Sequence, residues 1–313
     1  MSSNFSKIIA TGSYLPKKVM TNYELEKLVD TSHEWIYERT GIVKRCIAED
    51  NESSVDMAYN ASIDVIERSG LDIKCIDMII VATTTPERVF PSSAVLLQNK
   101  LNIDNCFAFD VNAACTGFIY ALDIADKYIK NKSANNVLVV GSEKMSSIVD
   151  WNDRNTCVLF GDGAGAVLVT ASYDPGIISS TIGSNGSYKD LLTVNPDSDF
   201  IEMKGNDVFK IAVTTMGKLA SETLKNNNLN IEEIDWLIPH QANSRIINAI
   251  AKKISLPAEK IIMTIDVHGN TSAASIPLAM DHAFVKGHLK NDNIVLLEAF
   301  GAGFTWGSTL LKF

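Results

Sequence analysis

Long hydrophobic runs are missing from this sequence of 313 residues. The longest apolar stretches, such as MIIVA and NIVLLEAF, fall far short of the ~20 residues that a membrane-spanning helix needs. The polar start, MSSNFSK, also lacks the apolar stretch of a secretory signal peptide. We therefore expect a cytoplasmic protein with no membrane insertion.

Cysteine and histidine are scarce, with five residues of each type. The cysteines form no CxxC pair, and their odd number fits poorly with a secreted disulfide framework. Neither HExxH nor the Cys/His spacing of a zinc site occurs, so we expect reduced thiols and no bound metal. The residues are Cys46, Cys75, Cys106, Cys115, Cys157, His33, His240, His268, His282 and His288.

Positive charge is in short supply, because 28 Lys and Arg stand against 37 Asp and Glu, which gives a net charge of −9. This balance argues against nucleic acid as a general partner. An acidic protein would also be repelled weakly, so such a partner would need a local basic patch. The hydrophobic content of 46% predicts a sizeable core, in one large domain or two medium ones.

No helix pattern follows the glycine loop GDGAGA, which otherwise looks like a dinucleotide-binding fingerprint. That fingerprint needs a helix after the glycines to hold the phosphate, whereas the sequence here predicts a strand. Asp162 would also repel a phosphate. We therefore interpret the glycines as tight turns whose backbone approaches a substrate or another segment closely.

What the sequence does contain is an internal repeat. LDIKCIDMII matches LNIEEIDWLI, which places Asp77 over Asp235 at an offset of 158 (235 − 77). Further on, FDVNAACTG matches IDVHGNTSA, with Asp110 over Asp266 at an offset of 156 (266 − 110). Each half then closes with a glycine loop that leads into an apolar strand, FGDGAGAVLVT in the first and FGAGFTWGSTLLKF in the second.

The repeat and the hydrophobic pattern together predict the organisation of the chain. Asp174-Pro175-Gly176 is a strong turn signal, so we divide the chain into residues 1–172 and 173–313. Within each half, short runs rich in Val and Ile alternate with amphipathic stretches, which is typical of an α/β fold. The apolar TGFIYALDIADKYI predicts a helix buried between layers. In the repeat alignment, Cys115 and Asn270 fall one position apart, at matching turns.

AFDVNAACTGF, at 108–118, places Cys115 at a strand-to-helix turn. A cysteine is most often a small buried hydrophobe, so packing is the alternative to chemistry here. The helix N-terminus favours the thiolate, but at most ~2 kcal/mol from the dipole lowers a thiol pKa of ~8.5 by about 1.5 units. We expect a mixture of thiol and thiolate at neutral pH, with His240 able to take the remaining proton.

Six motifs are spread across essentially the whole chain: DTSHEWIYERTGI, FDVNAACTGF, FGDGAGAVL, IPHQANSRI, HGNTSAAS and LLEAFGAGFTWG. In their order and spacing they resemble the motifs of the β-ketoacyl-acyl-carrier-protein synthase III family of the thiolase fold. The resemblance implies a five-layered αβαβα fold and a homodimer. It also implies the initiating condensation of fatty-acid synthesis, from an acyl-CoA primer and malonyl-acyl-carrier protein, with no cofactor beyond these substrates.

The resemblance also implies roles for individual residues. Cys115 is similar to the family's nucleophile, with His240 and Asn270 as its partners, and the backbone of Cys115 and Ala302 would form an oxyanion hole. Ala302 departs from the glycine of many members and fits this role if its φ is negative. The remaining implied residues are Trp35, Arg39 and Arg154 for CoA, Lys210 for the carrier protein, and Phe90 for the partner's acyl pocket. The spacing of Arg245, Lys252 and Lys253, seven and eight positions apart on a predicted helix, adds a basic face for the carrier protein.

The chemistry of these side chains separates the family from its relatives. Two neutral donors, His240 and Asn270, suit an enolate that forms by loss of carbon dioxide, because no base must then remove an α-proton. Degradative thiolases carry a second cysteine where FGAGFTWG has none, elongating synthases have a second histidine at Asn270, and hydroxymethylglutaryl-CoA synthases have a glutamate at Thr84. Chalcone synthases share the Cys/His/Asn set and remain the nearest enzymatic alternative. A non-catalytic acyl-carrier-binding protein and, for the basic residues, an ordinary solvated face are the others.

Overall fold

The computed structural model describes residues 5–195 and 197–313. The first four residues of the polar start MSSNFSK lie outside this range. Elements up to β7 are called the first half below, and those from β8 onward the second half. The first half contains β1 (Phe5–Tyr14), β2 (Lys18–Thr21), α1 (Asn22–Leu25), α2 (His33–Thr40), β3 (Lys44–Ile47), α3 (Ser54–Ser69), β4 (Met78–Ala82), α4 (Ser93–Leu101), β5 (Phe107–Val111), α5 (Gly117–Lys130), β6 (Asn136–Glu143) and β7 (Gly163–Ser172).

The second half repeats this order with a shorter sheet. It contains β8 (Ile177–Ser184), β9 (Leu192–Val194), β10 (Ile201–Met203), α6 (Gly205–Asn226), β11 (Trp236–Pro239), α7 (Ser244–Lys253), α8 (Ile265–His268), α9 (Ser275–Val285), β12 (Ile294–Gly301) and β13 (Thr305–Lys312). The predicted division at 172/173 falls in the segment between β7 and β8.

The two main sheets have matching strand orders. The first runs β1-β7-β6-β4-β5 and the second runs β8-β13-β12-β11. In the first sheet, β4 and β6 pair in parallel, and β6 and β7 pair antiparallel. In the second sheet, β11 and β12 pair in parallel, and β12 and β13 pair antiparallel. Beside β11, at the place that β5 takes in the first half, the described residues of the second half form a single bridge, from Leu237 to Ile261.

Helices and sheets alternate in five layers, in the αβαβα order that the family resemblance implies. The buried core between the sheets is built on α5 and α9, with Phe118, Ile119 and Leu122 wholly buried, as the apolar pattern of α5 predicts. Helices α3 and α4 cover the outer face of the first sheet. Helices α6 and α7 cover that of the second.

Local sequence signals explain where these elements begin and turn. Ser53 caps α3 in a reciprocal capping box with Asp56. The GDGAGA loop is a tight structural turn: Asp162 is buried and accepts backbone N–H bonds from Ala48 and Ser146. A Cβ on Gly165 would lie 2.5 Å from the backbone nitrogen of Leu278, so glycine permits β7 to pack closely against α9.

The structure corrects one register of the predicted repeat. Ala114 and Ser272 adopt the same left-handed backbone, with φ of 48° and 49°, at an offset of 158 (272 − 114). Helices α5 and α9 begin at the same offset. The match of Asp110 to Asp266 at 156 is therefore wrong. Asn270 is equivalent to Asn112, three residues before Cys115.

Candidate active site

One cavity of about 610 Å³ brings together the three predicted catalytic residues, Cys115, His240 and Asn270. Each follows the end of a different element: Cys115 comes after β5, His240 after β11 and Asn270 after α8. Strand ends and short turns from both halves thus meet at this cavity. The convergence favours the chemical interpretation of Cys115 over simple packing.

Cys115 lies in the turn between β5 and α5, on the cavity wall. Burial is the main cause that raises the pKa of its thiol to about 12, and the nearby Glu143 charge raises it further. A hydrogen bond with Ser272 and the Cys115 backbone N–H act in the opposite direction. The shift is opposite in direction to the one expected from the N-terminus of α5, and it favours the thiol over the expected mixture of thiol and thiolate.

His240 follows Pro239, and its backbone N–H donates to the Glu298 carbonyl oxygen at 2.7 Å. Its Nδ1 lies 2.6 Å from Ser275 Oγ, which also accepts the Gln241 N–H at 3.4 Å. Among the hydrogen bonds of the described residues, Nδ1 is the one acceptor for the Ser275 hydroxyl proton, so this hydroxyl donates to Nδ1, which places the imidazole proton on Nε2.

The protonation state of His240 follows from its surroundings. Burial lowers the pKa of His240 to about 3, so the ring is neutral. With its proton on Nε2, the ring offers a neutral donor and has no lone pair at that nitrogen. The expectation that His240 takes the proton of Cys115 is therefore wrong for this resting arrangement.

Asn270 is held by its backbone and by its side-chain oxygen. It forms a parallel bridge with Phe160, and its Oδ1 accepts the Ser272 N–H at 2.9 Å. Gly269 before it has a φ of 65°, and a Cβ there would lie 3.1 Å from the Arg45 Cβ. Because Oδ1 is engaged, Nδ2 is the group of the amide that remains for a ligand.

The backbone near Cys115 fits the predicted oxyanion hole. The φ of Ala302 is not positive, so this alanine meets the requirement for a negative φ that its side chain imposes. It lines a second cavity of about 510 Å³ together with Cys115 and Thr84. A Cβ on Gly301 would lie 2.8 Å from the Cys115 nitrogen, so the β12–β13 turn approaches the thiol through its backbone.

Two arginines lie over the ring of Trp35, which lines the larger cavity. Arg39 and Arg154 lie over the Trp35 ring, with guanidinium carbons 4.5 and 4.4 Å from its centroid. Trp35 and Arg39 line the cavity, as does Arg245 on α7. The residues predicted for CoA therefore lie together.

Four other predicted residues lie outside both cavities. Lys210, Lys252 and Lys253 are exposed on α6 and α7, where the Lys253 ammonium approaches the Thr214 carbonyl oxygen at 3.5 Å. Phe90 is 82% exposed in the loop before α4. Their carrier-protein and dimer roles stay predictions.

Sequence reasoning missed the residues that hold this site in place. Ser272 and Ser275 stand inside the HGNTSAAS motif, and Glu143 ends the apolar run NVLVVGSE, a signal of a buried charge. Across the residues that the structure describes, no group of three His, Cys, Asp or Glu side chains could hold a metal. Nor is any helix in those residues long and apolar enough to span a membrane.

Comparisons with known proteins were made by sequence and by structure. Two family models match, 3-oxoacyl-[acyl-carrier-protein (ACP)] synthase III over residues 109–186 and its C-terminal counterpart over residues 224–313. A β-ketoacyl-[acyl-carrier-protein] synthase III of Thioalkalivibrio sulfidiphilus is 52% identical, with 99% of each chain covered. A synthase III 1 of Vibrio cholerae is 53% identical, over 99% of this chain and all of that one.

Solved structures give the same result. The 3-oxoacyl-[acyl-carrier-protein] synthase III of Aquifex aeolicus is 50% identical with a TM-score of 0.96, covering 98% of this chain and 100% of that one. The priming β-ketosynthase of the R1128 polyketide pathway is 34% identical with a TM-score of 0.95, covering 99% and 97%. The thiolase-like fold is confirmed, and the chain belongs to the β-ketoacyl-[acyl-carrier-protein] synthase III family.

Proposed function

We propose that this chain catalyses the initiating condensation of fatty-acid synthesis. An acyl-CoA and malonyl-acyl-carrier protein give 3-oxoacyl-acyl-carrier protein, carbon dioxide and CoA. The observation that carries the proposal is the meeting of a thiol, a neutral imidazole donor and an amide donor in one cavity, at Cys115, His240 and Asn270. Family membership supplies the reaction class, and these side chains supply the means.

In the first half-reaction, the Cys115 sulfur attacks the thioester carbonyl of the acyl-CoA. The carbonyl oxygen becomes an oxyanion that the backbone N–H groups of Cys115 and Ala302 stabilise. As the intermediate collapses, the bond to the CoA sulfur breaks, and the thiol proton of Cys115 ends on that sulfur. The products are acyl-Cys115 and free CoA.

In the second half-reaction, malonyl-acyl-carrier protein loses carbon dioxide in the emptied cavity. The electron pair of the broken bond forms an enolate, whose oxygen accepts hydrogen bonds from His240 Nε2 and Asn270 Nδ2. The enolate carbon then attacks the acyl group. Cys115 leaves as a thiolate and takes up a proton from the solvent, which restores the resting enzyme.

The side chains around the cavity support the proposed partners of the enzyme. The stack of Trp35, Arg39 and Arg154 suits the adenine and phosphates of CoA, through an aromatic face and two cations. The basic side chains of α6 and α7, Lys210, Arg245, Lys252 and Lys253, meet the acidic carrier protein. The enzyme is a cytoplasmic homodimer with no cofactor beyond its two substrates, and Phe90 of each protomer closes the acyl pocket of the other.

Mass spectrometry after incubation with labelled acetyl-CoA tests the proposal directly. One acyl mass should appear on the peptide that contains Cys115 and on none with the other four cysteines. Acylation that persists in Cys115→Ala would exclude the assignment. A protein that never becomes acylated would instead be the non-catalytic carrier-binding alternative.

Primer choice needs a separate assay, because one structural relative is a priming ketosynthase of a polyketide pathway. Purified enzyme should be given acetyl, branched and longer acyl-CoA primers in parallel. Phe90→Ala should admit longer primers, since each added methylene recovers up to ~0.8 kcal/mol of burial. An unchanged primer profile would remove Phe90 from the pocket.

A further inference from the structure

One arginine is completely buried beside the wall of the larger cavity. Arg45, on β3, is among the largest wholly buried side chains, although a charged group is seldom buried unless it is hydrogen-bonded. Its guanidinium donates to the Val158 carbonyl oxygen at 2.8 Å, to Asn22 Oδ1 at 3.0 Å and to the Met20 carbonyl oxygen at 3.2 Å. All three oxygens belong to uncharged groups. Burial lowers the pKa of Arg45 to about 10, so the side chain stays a cation at neutral pH.

A short segment, residues 158–161, connects this arginine to Asn270. Its first three residues line the larger cavity together with Asn270. The Asn270 N–H donates to the Leu159 carbonyl oxygen at 2.9 Å, and the Gly161 N–H donates to the Asn270 carbonyl oxygen at 3.0 Å. The backbone of Asn270 is thus held from both sides by a segment whose first carbonyl group accepts a hydrogen bond from Arg45.

The stem of Arg45 packs against the same turn. A Cβ on Gly161 would lie 2.9 Å from the Arg45 Cβ, and one on Gly269 would lie 3.1 Å from it. These glycines are the neighbours of Phe160 and Asn270, the two residues that form a parallel bridge. Because the glycines have no side chains, the arginine, the segment and the turn form one closely packed unit.

The position of this turn decides where the Asn270 amide points. Its Oδ1 accepts the Ser272 N–H, so the amide has a fixed orientation relative to its own turn. The place of the amide relative to His240 then depends on the contacts of the turn with segment 158–161. Cys115, in contrast, is carried by the turn between β5 and α5. A displacement of the segment should therefore affect the amide donor more than the thiol.

We propose that Arg45 is a positioning residue for Asn270: through the Val158 carbonyl group and segment 158–161, it holds the amide donor where malonyl decarboxylation needs it. The other hydrogen bonds of its guanidinium anchor it to β2 and to the start of α1. Arg45 touches no substrate in this role, and no bond forms or breaks at it. The inference rests on the proposed function and deepens it, because it names a residue that acts on one half-reaction only.

The first experiment measures both half-reactions in purified Arg45→Met, which keeps an unbranched stem and loses every donor. Carbon dioxide release from malonyl-acyl-carrier protein should fall at least about tenfold, since a small misplacement of a reacting group strongly slows a reaction. Acyl transfer from acetyl-CoA to Cys115 should stay within about twofold of wild type. Arg68→Met is the matched control. Arg68 pairs with Asp64 and Asp281 and lines neither cavity, so neither rate should change more than about twofold.

A double-mutant cycle separates positioning from general damage to the fold. Asn270→Ala has no amide left to misplace, so adding Arg45→Met should lower its decarboxylation by less than about a further twofold. A merely structural arginine would lower the rate by the same factor in both backgrounds. Arg45→Lys, which keeps the charge but not the planar fork, should give a smaller loss of about threefold with the same dependence on Asn270.

Hydrogen exchange gives a readout that needs no activity. Loss of the hydrogen bond to Val158 should speed exchange of the Asn270 and Gly161 amide protons about tenfold, because both protons bond across the pairing that Arg45 supports. Mass spectrometry of peptides from the full chain measures this exchange. Peptides around Cys115 should exchange at the wild-type rate, whereas a general loss of stability would speed exchange throughout the chain.

Three results would overturn the inference: equal losses in both half-reactions, unchanged decarboxylation in Arg45→Met, or an undiminished effect of this change in Asn270→Ala. If neither Arg45 variant folds, as judged by thermal unfolding, the arginine serves the whole fold and the inference is wrong. Failure of the proposed function looks different. In that case the wild-type protein releases no carbon dioxide, although exchange at Asn270 and Gly161 still becomes faster in Arg45→Met. The two failures are therefore distinguishable.

Discussion

The two halves of the chain place the same backbone turn at equivalent points and give it different chemistry. In the first half the turn carries Ala114 and Cys115, and in the second it carries Ser272 and Ala273. The left-handed residue of each turn has nearly the same φ, 48° and 49°. A shared scaffold therefore supplies position, and single side chains decide which turn holds the nucleophile and which holds its support.

The strand ends behind these turns differ even more. β6 ends at Glu143 and β12 ends at Gly301, again 158 residues apart (301 − 143). Glu143 fills its place with a carboxylate that reaches Ser272 in the opposite half. Gly301 has no side chain, so its backbone can lie close to the backbone nitrogen of Cys115. Equivalent positions thus carry a carboxylate in one half and a close backbone contact in the other.

The largest expected effect is the difference in malonyl decarboxylation between variants of two equivalent asparagines, Asn270 and Asn112. Asn270→Ala should lower malonyl decarboxylation by roughly 10²–10³-fold, as is typical on removal of one oxyanion donor. It should still accept an acyl group from CoA. Asn112→Ala is the matched control, and carbon dioxide release should fall less than about tenfold. Equal losses in both variants would show that the halves contribute equally to the site.

Gly301→Ala tests the close backbone contact at the end of β12. The added Cβ would meet the Cys115 nitrogen at 2.8 Å, so the turn must shift, at a cost of about 1–3 kcal/mol of native stability. Condensation should fall at least about tenfold. Gly186→Ala is the control, because nothing lies within 4 Å of its Cβ. Condensation assays and thermal unfolding measure both effects, and a fully active Gly301→Ala would contradict the close approach.

The equivalent aspartates of α5 and α9 offer a test of stability. Asp281 accepts hydrogen bonds from two hydroxyl groups on β1 and pairs with Arg68. Among the described residues, the one ion-pair partner of Asp123 is the exposed Lys127. Asp281→Ala should cost about 2 kcal/mol of unfolding free energy, since it leaves several buried donors unpaired. Asp123→Ala should cost under about 1 kcal/mol. Urea unfolding measures the loss of unfolding free energy in both variants. Equal losses would show that the hydrogen bonds between Asp281 and β1 contribute little stability.

The smallest expected effect is that of pH on decarboxylation through His240, whose counterpart in the first half is Ala82. Burial lowers the pKa of His240 to about 3, so the ring should stay neutral from pH 8 down to about pH 5.5. Decarboxylation by Cys115→Ala should therefore vary less than about twofold over that range. A titration step near pH 6.5 would show that the ring is charged. Stability should be followed in parallel, because a histidine buried neutral destabilises the fold as the pH falls below its unfolded pKa.

Through motifs that resemble those of the family, the sequence predicted the αβαβα fold and the three proposed catalytic residues, which the structure brings together in one cavity. It failed at the register around Asn270, where an identical pair, Asp110 and Asp266, suggested an offset of 156. The second half replaces β5 with a single bridge and α8, so that strand pattern could not guide the alignment. The matching φ values of Ala114 and Ser272 in the structure give the correct offset of 158.

By itself, the sequence determined the set of reactive groups, the duplication and the family. Only the tertiary structure decided their states: a protonated Cys115, a neutral His240 with its proton on Nε2, and an Asn270 amide turned by Ser272. The reason is physical, since a pKa or a hydrogen-bond direction depends on burial and on neighbours such as Glu143 and Ser275. Those neighbours lie far along the chain and meet the reactive groups only after both halves have folded together.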